Sequence, residues 1–92
     1  MALRLIMVRI WAKIIKNNKI IKQYVYEREG QTDYSLFYEY LHDICLELDV
    51  STPVLIKTHL FNYAKYNNVK FLKEDFVESV DFDKLILENA LL

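Results

Sequence analysis

Residues 8–26 set two runs rich in Ile, Val, Trp and Tyr on either side of one polar interruption, Lys16-Asn17-Asn18-Lys19. Period-two patterning with Ile, Val, Trp and Tyr on both flanks predicts two strands. Asn tolerates φ > 0, which a two-residue type I′ loop requires at both central positions, so the interruption predicts a hairpin turn. A two-residue loop sets Ile15 opposite Ile20, Ile14 opposite Ile21, Trp11 opposite Tyr24 and Ile10 opposite Val25. One face then carries Val8, Ile10, Ala12, Ile14, Ile21 and Val25, with Gln23 as its single polar intruder, and is the expected core face. The other carries Arg9, Trp11, Lys13, Ile15, Ile20, Lys22, Tyr24 and Tyr26 and is basic and aromatic. Leu3, Ile6, Met7, Ile10 and Ile14 also recur at helical spacing. That leaves a rival reading, a basic amphipathic helix of the kind found on membrane surfaces or in targeting presequences. The turn, the β-branched content and the matching second strand favour the hairpin.

Beyond Gly30 the period changes. Thr32 or Asp33 is placed to cap a helix running to about Leu48, with Tyr34, Phe37, Leu41, Ile44, Cys45 and Leu48 as its buried stripe. Ser51 or Thr52 caps a second helix with Pro53 in its first turn, where a missing N–H costs nothing. It is expected to reach about Tyr66, to bury Ile56, Leu60, Tyr63 and Ala64, and to end at Asn67-Asn68. Val69 to Val80 reads as an irregular stretch anchored by Phe71, Phe76 and Val80. Phe82 to Asn89 alternates well enough for a third strand beside the hairpin.

Composition narrows the class. The chain has 92 residues, 53% of them hydrophobic, and one glycine and one proline. It is the size of one domain with a thin core and short connections. A single glycine leaves no means of building a Gly-rich phosphate cradle. Cys45 is the lone cysteine, which excludes an internal disulfide framework and favours a reducing, cytoplasmic setting. No run approaches the roughly 20 apolar residues of a membrane span. Met7 is an alternative start that would make residues 1–6 a dispensable extension.

The net charge of −1 hides a strong sorting. Residues 1–28 carry seven basic side chains and one acid, and residues 29–52 carry six acids and neither Lys nor Arg. Residues 53–73 have four lysines and no acid, and residues 74–92 have six acids against Lys84. Local sign decides which surface attracts which partner. Within the fold, Glu39, Asp43 and Glu47 on the first helix are expected to face Lys57 and Lys65 on the second.

Chemistry-bearing residues are few. His42, Asp43 and Cys45 fall within one helical turn, but Cys45 lies on the apolar stripe of an acidic helix, where a thiol's pKa rises. His42 and Cys45 offer two metal ligands, with His59 a distant third and no fourth in view. Asp81 and Asp83 flank Phe82 on one face of the last predicted strand and read as solvating acids, without an EF-hand's loop or glycine. No catalytic residue, metal site, cofactor or small-molecule substrate is therefore expected.

Ala12-Lys13-Ile14-Ile15-Lys16, the return Asn18-Lys19-Ile20-Ile21, Ile44-Cys45, Pro53 and Asp81-Phe82-Asp83 resemble a group of short uncharacterised bacterial proteins. The similarity covers most of the chain beyond Met7. It implies a small stand-alone α+β fold and a bacterial or bacteriophage origin, and it carries over no activity and no site residue.

These readings predict one α+β domain over residues 1–92: a hairpin, two helices and a C-terminal strand in a three-stranded antiparallel sheet, with both helices on one face. The expected role is a non-catalytic protein-binding or regulatory module, with a protein partner or a second copy as its occupant. Arg9, Trp11, Lys13, Ile15, Ile20, Lys22, Tyr24 and Tyr26 are the expected partner-binding residues. The alternatives are a nucleic-acid-associated regulator using the same face and a phage-encoded inhibitor of a host enzyme.

Overall fold

The turn at Asn17-Asn18 organises the first half of the computed structural model, which describes residues 6–91. Both asparagines adopt positive φ, 53° and 63°, as a type I′ loop demands. They join strand β1 (Met7–Lys16) to strand β2 (Lys19–Glu29), and Ile15 faces Ile20 as the loop length dictates. The rival helix is thereby overturned over Met7–Lys16; Leu3 and the rest of residues 1–5 lie outside the described residues. Ile6, the last residue of the supposed extension, accepts a backbone hydrogen bond from Gly30 at 2.9 Å.

One step beyond Ile15 the register departs from the regular hairpin. Ile14 faces Lys22, so Ile21 is the extra residue of a β-bulge. From there the pairs are Lys13–Gln23, Ala12–Tyr24, Trp11–Val25 and Ile10–Tyr26. A one-residue slip exchanges the two faces of a strand. Lys22, Tyr24 and Tyr26 therefore turn to the helix side, while Gln23 and Val25 turn to the open side. The physical reason lies in Gln23. A regular register would seat its amide in the core, whereas the bulge moves it out and buries Tyr26 to 7% exposure.

Two further strands follow, β3 (Asn68–Leu72) and β4 (Lys84–Asn89). β4 pairs antiparallel with the free side of β1, Ile10–Asn89 through Ile15–Lys84, so the C-terminal strand joins the hairpin. β3 pairs antiparallel with β4, and the order is β2-β1-β4-β3. The sheet thus has four strands where three were expected. The missed strand starts directly after Asn67, whose φ of 60° ends the preceding helix and reverses the chain. Val69 and Phe71 point into the core, and Lys70 and Leu72 point out.

The helices cover one face. Asp33 supplies the expected cap: its Oδ1 accepts from the Ser35 N–H at 2.9 Å. It opens a short 3-10 turn (Tyr34–Leu36), and helix α1 (Phe37–Leu48) follows. Tyr34 is consequently 43% exposed, and Tyr40 takes its place in the buried stripe. Helix α2 (Lys57–Tyr66) begins later than Ser51 or Thr52 would have it. Residues 50–56 have no helical turn, Pro53 is buried among them, and the Val54 N–H donates to the Asp75 carbonyl at 2.8 Å. With this later start α2 buries His59 and Tyr63, while Ile56 and Ala64 are exposed.

The core lies between the helices and the inward residues of β1, β4 and β3, and Phe37 sits at its centre. The Phe37 ring packs 4.9 Å from Tyr63 and 5.9 Å from Tyr40, tying α1 to α2. No helix covers the opposite face of the sheet among the described residues. Among the described residues no helix is long and apolar enough to cross a membrane.

Candidate functional site

The uncovered face is built mainly by β1. Because Val8, Ile10, Ala12 and Ile14 are buried inward, the alternate residues Arg9, Trp11, Lys13 and Ile15 must project outward. Ile20, opposite Ile15, lies with them and is 46% exposed. These five expected site residues share the face. Lys22, Tyr24 and Tyr26 do not. The Lys22 ammonium donates to the Leu48 carbonyl at the end of α1 at 3.0 Å. Tyr24 is half-buried, and the Tyr26 hydroxyl donates to Asp43 Oδ2 at 2.8 Å. Burial first, and then the Asp43 carboxylate, hold the Tyr26 hydroxyl above the usual tyrosine range.

The side chains of the open face are locked together in pairs. Trp11 Nε1–H donates to Gln23 Oε1 at 3.0 Å, so the expected Trp11–Tyr24 pair is replaced by Trp11 with Gln23 and Val25. The Lys13 ammonium lies 4.1 Å above the Trp11 ring and 2.7 Å from Glu88 Oε1. Arg9 reaches Glu27 Oε2 at 3.0 Å. At its centre Arg9 and Lys13 are each paired with an acid around Trp11, while Lys70 and Lys84 add cations on the β3 side. Val25, Gln23, Ile86, Leu72 and Glu88 also stand on this face. Only the period-two pattern of the last strand hinted at Lys84, Ile86 and Glu88.

The rim of this face is a free strand edge. Gly30 N–H donates to the Ile6 carbonyl, which makes every second pair along β1–β2 hydrogen-bonded: Val8–Arg28, Ile10–Tyr26 and Ala12–Tyr24. The N–H and C=O groups of Gln23, Val25, Glu27 and Glu29 then point away from β1, where the sheet has no further strand among the described residues. Ile21 and Val25, each 48% exposed, stand on this outer strand.

The acidic stripe of α1 runs along the helix side of the same edge. Glu39 pairs with Arg28 at 3.1 Å, and Asp43 takes the Tyr26 hydroxyl. The expected pairing of this stripe with Lys57 and Lys65 is replaced by contacts to β2, because α1 packs over β2. Lys65 lies instead near the rings of Phe61 and Tyr66.

His42 and Cys45 differ in exposure, and both approach Thr52. His42 is exposed, stacks on Tyr38 and holds Nδ1 3.2 Å from Thr52 Oγ1, while Cys45 is buried. Burial pushes the Cys45 thiol up to about 11, against a smaller opposing pull from Thr52. Thiol reagents attack the thiolate, and each pKa unit changes its fraction about tenfold. Native Cys45 will thus react at least about a hundredfold more slowly than the urea-unfolded chain near neutral pH. Its raised folded pKa also fixes a sign. The unfolded thiol ionises first, so stability falls as pH rises from 9 to about 11. Denaturant titrations across that window will show the decline, and Cys45→Ala will flatten its lower part. Tyr63 and Tyr26, whose hydroxyls burial also pushes up, contribute at the alkaline end.

Asp81 and Asp83 are in a bend before β4, not in the strand. Asp83 Oδ2 accepts from the Asn17 N–H at 2.9 Å, and the Asp83 N–H donates to the Ile15 carbonyl at 2.8 Å. This carboxylate anchors the hairpin turn. Phe82 beside it is buried edge-on against Phe76.

Comparison of the chain with protein-family models, with curated proteins and with solved structures returned no match. The geometry above is therefore the ground for a functional reading.

Proposed function

We propose that the chain is a non-catalytic protein-binding module that takes an extended protein segment along β2, beside the Trp11 face, in a cytoplasmic setting. The observation that supports this is the outer side of β2. Among the described residues it offers backbone donors and acceptors without a strand partner at Gln23, Val25 and Glu27, with exposed Ile21 and Val25 next to them. An exposed edge of this kind is a template for strand addition, in which main-chain bonds give affinity and alternate side chains give selectivity. Trp11 and Arg9 are of the residue types that dominate protein interfaces.

The same geometry supports the nucleic-acid reading less, with Lys70 and Lys84 the outward cations that remain to it. Glu27 and Glu88 balance Arg9 and Lys13, and Tyr24 and Tyr26 face the helices. Base stacking on a sheet needs exposed rings and uncompensated cations.

Selection of peptides from a random displayed library against the immobilised chain tests the reading. The expected result is a family of extended, β-branched peptides whose binding is lost in Val25→Pro, which removes an outward N–H from the edge. Single-stranded oligonucleotides are expected to give no mobility shift at low salt. Binding of oligonucleotides but not of peptides would reverse the assignment.

A further inference from the structure

Away from the β2 edge, we infer that His59 is a pH-sensitive latch on the start of α2: on taking a second proton its ring releases the Ile56 N–H and holds Asp75 alone. The imidazole is buried, and each ring nitrogen faces one partner. Nδ1 accepts the Ile56 N–H at 3.1 Å, and Nε2 stands 3.5 Å from Asp75 Oδ2. Ile56 is the residue before α2 and His59 is its third, so the ring closes a capping box. Glu and Gln ordinarily fill that position, and their oxygens accept hydrogen bonds at neutral and mildly acid pH. Histidine differs. The neutral ring has one accepting nitrogen, and the doubly protonated ring has none, because both nitrogens then donate. No orientation of a protonated ring can serve Ile56, so the loss follows from valence, at whatever pH the proton arrives.

The surroundings keep the event local. Asp75 is the charged group that faces the ring, and it gives the second proton a counter-charge, so the grip passes to a charge-assisted bond. Its neighbours Lys73 and Glu74, and Lys57 on α2 itself, are exposed. β3 meets the ring with Phe71, centroids 4.4 Å apart, and residues 50–56 carry no ionisable side chain. Tyr63, one turn further along α2, is neutral because burial holds its hydroxyl well above the usual tyrosine range. Ahead of Ile56 the Val54 N–H remains on the Asp75 carbonyl, and behind it the His59 N–H remains on the Ile56 carbonyl. The released stretch is therefore the entry to α2, not the helix or the sheet.

Amide hydrogen exchange of the full chain, read residue by residue by NMR from about pH 8 to about pH 5, where imidazoles take their proton, tests this. After correction for the intrinsic pH dependence of exchange, Ile56 is expected to lose about five- to tenfold in protection, the worth of one hydrogen bond. The loss should track the ring-nitrogen shifts of His59, while the Leu72 N–H, held by Asp75 Oδ2, and the amides of β1 and β4 keep their protection. His59→Gln retains an acceptor that does not titrate, and its Ile56 protection is expected to stay constant. Asp75→Asn removes the counter-charge and is expected to move the change at Ile56 to lower pH. A ring that gains its proton while Ile56 stays equally protected overturns the latch. So does a ring that stays neutral for as long as the chain stays folded, or the same loss in His59→Gln. A loss shared equally by β1 and β4 is global unfolding and overturns it too.

Discussion

Phe37→Ala will lower the unfolding free energy by about 3–5 kcal/mol, the range for removing a fully buried aromatic ring. Phe37 is completely inaccessible and joins both helices through Tyr40 and Tyr63. Its loss removes the apolar transfer energy, the aromatic contacts and the packing of every ring around the vacated space. Small domains have roughly 5–15 kcal/mol in total, and a thin core has few residues to relax into a cavity. Urea denaturation followed by circular dichroism will place the variant near the edge of folding in the absence of denaturant. Tyr38, one residue on and exposed, is the control: Tyr38→Ala should shift the midpoint only slightly. A loss at Phe37 of less than about 1 kcal/mol would mean that the helices do not close over the sheet as described.

His59→Ala will cost about 2–4 kcal/mol, a large value for a residue outside the aromatic centre. The imidazole is buried against Phe71, ring centroids 4.4 Å apart, so truncation leaves a cavity. Its Nδ1 accepts the Ile56 N–H at 3.1 Å, reaching back from the first turn of α2 to the residue before it. An accepting Nδ1 is unprotonated, which places the ring proton on Nε2, 3.5 Å from Asp75 Oδ2. Asp75 in turn takes the Leu72 N–H at 2.8 Å. The ring therefore joins the start of α2 to the segment after β3. His59→Gln keeps an acceptor within reach of Ile56 and should recover part of the loss, whereas Ala recovers none. Equal destabilisation by the two substitutions would assign the whole effect to packing.

The hairpin was legible in the sequence because its turn depends on two residues alone. Asn17 and Asn18 tolerate positive φ, and no distant contact is needed to specify them. The bulge was not legible, because strand alternation has two phases and tyrosine suits either one. Tyr24 and Tyr26 carry an apolar body for a core and a hydroxyl for its margin, so composition does not choose their side. Gln23 in the apolar row was the one available sign. The expected face was accordingly right at Arg9, Trp11, Lys13, Ile15 and Ile20, all placed by β1 and the turn, and wrong at Lys22, Tyr24 and Tyr26, all beyond the bulge.

The second half shows a different limit. Ser51-Thr52-Pro53 has the local chemistry of a helix start, yet the Val54 N–H is taken by the Asp75 carbonyl from a distant part of the chain. Tertiary pairing overrode a local preference. β3 escaped notice because a strand of five residues offers only two inward side chains, Val69 and Phe71, too short a rhythm to distinguish from an irregular anchor. The same brevity hid Asp83, whose bond to Asn17 links residues far apart in sequence.

Ile21 gives the hairpin a spare link. Nothing on β1 stands across from it, so one residue can be lost between Asn18 and Tyr24 by drawing the kink flat. The turn keeps its two asparagines, and Tyr24 and Tyr26 stay over α1. Drift in chain length at this tip is therefore buffered before it reaches the interior. What changes instead is the outline of β2, which straightens. A shortened relative would keep the same inner architecture behind a flatter, stickier border.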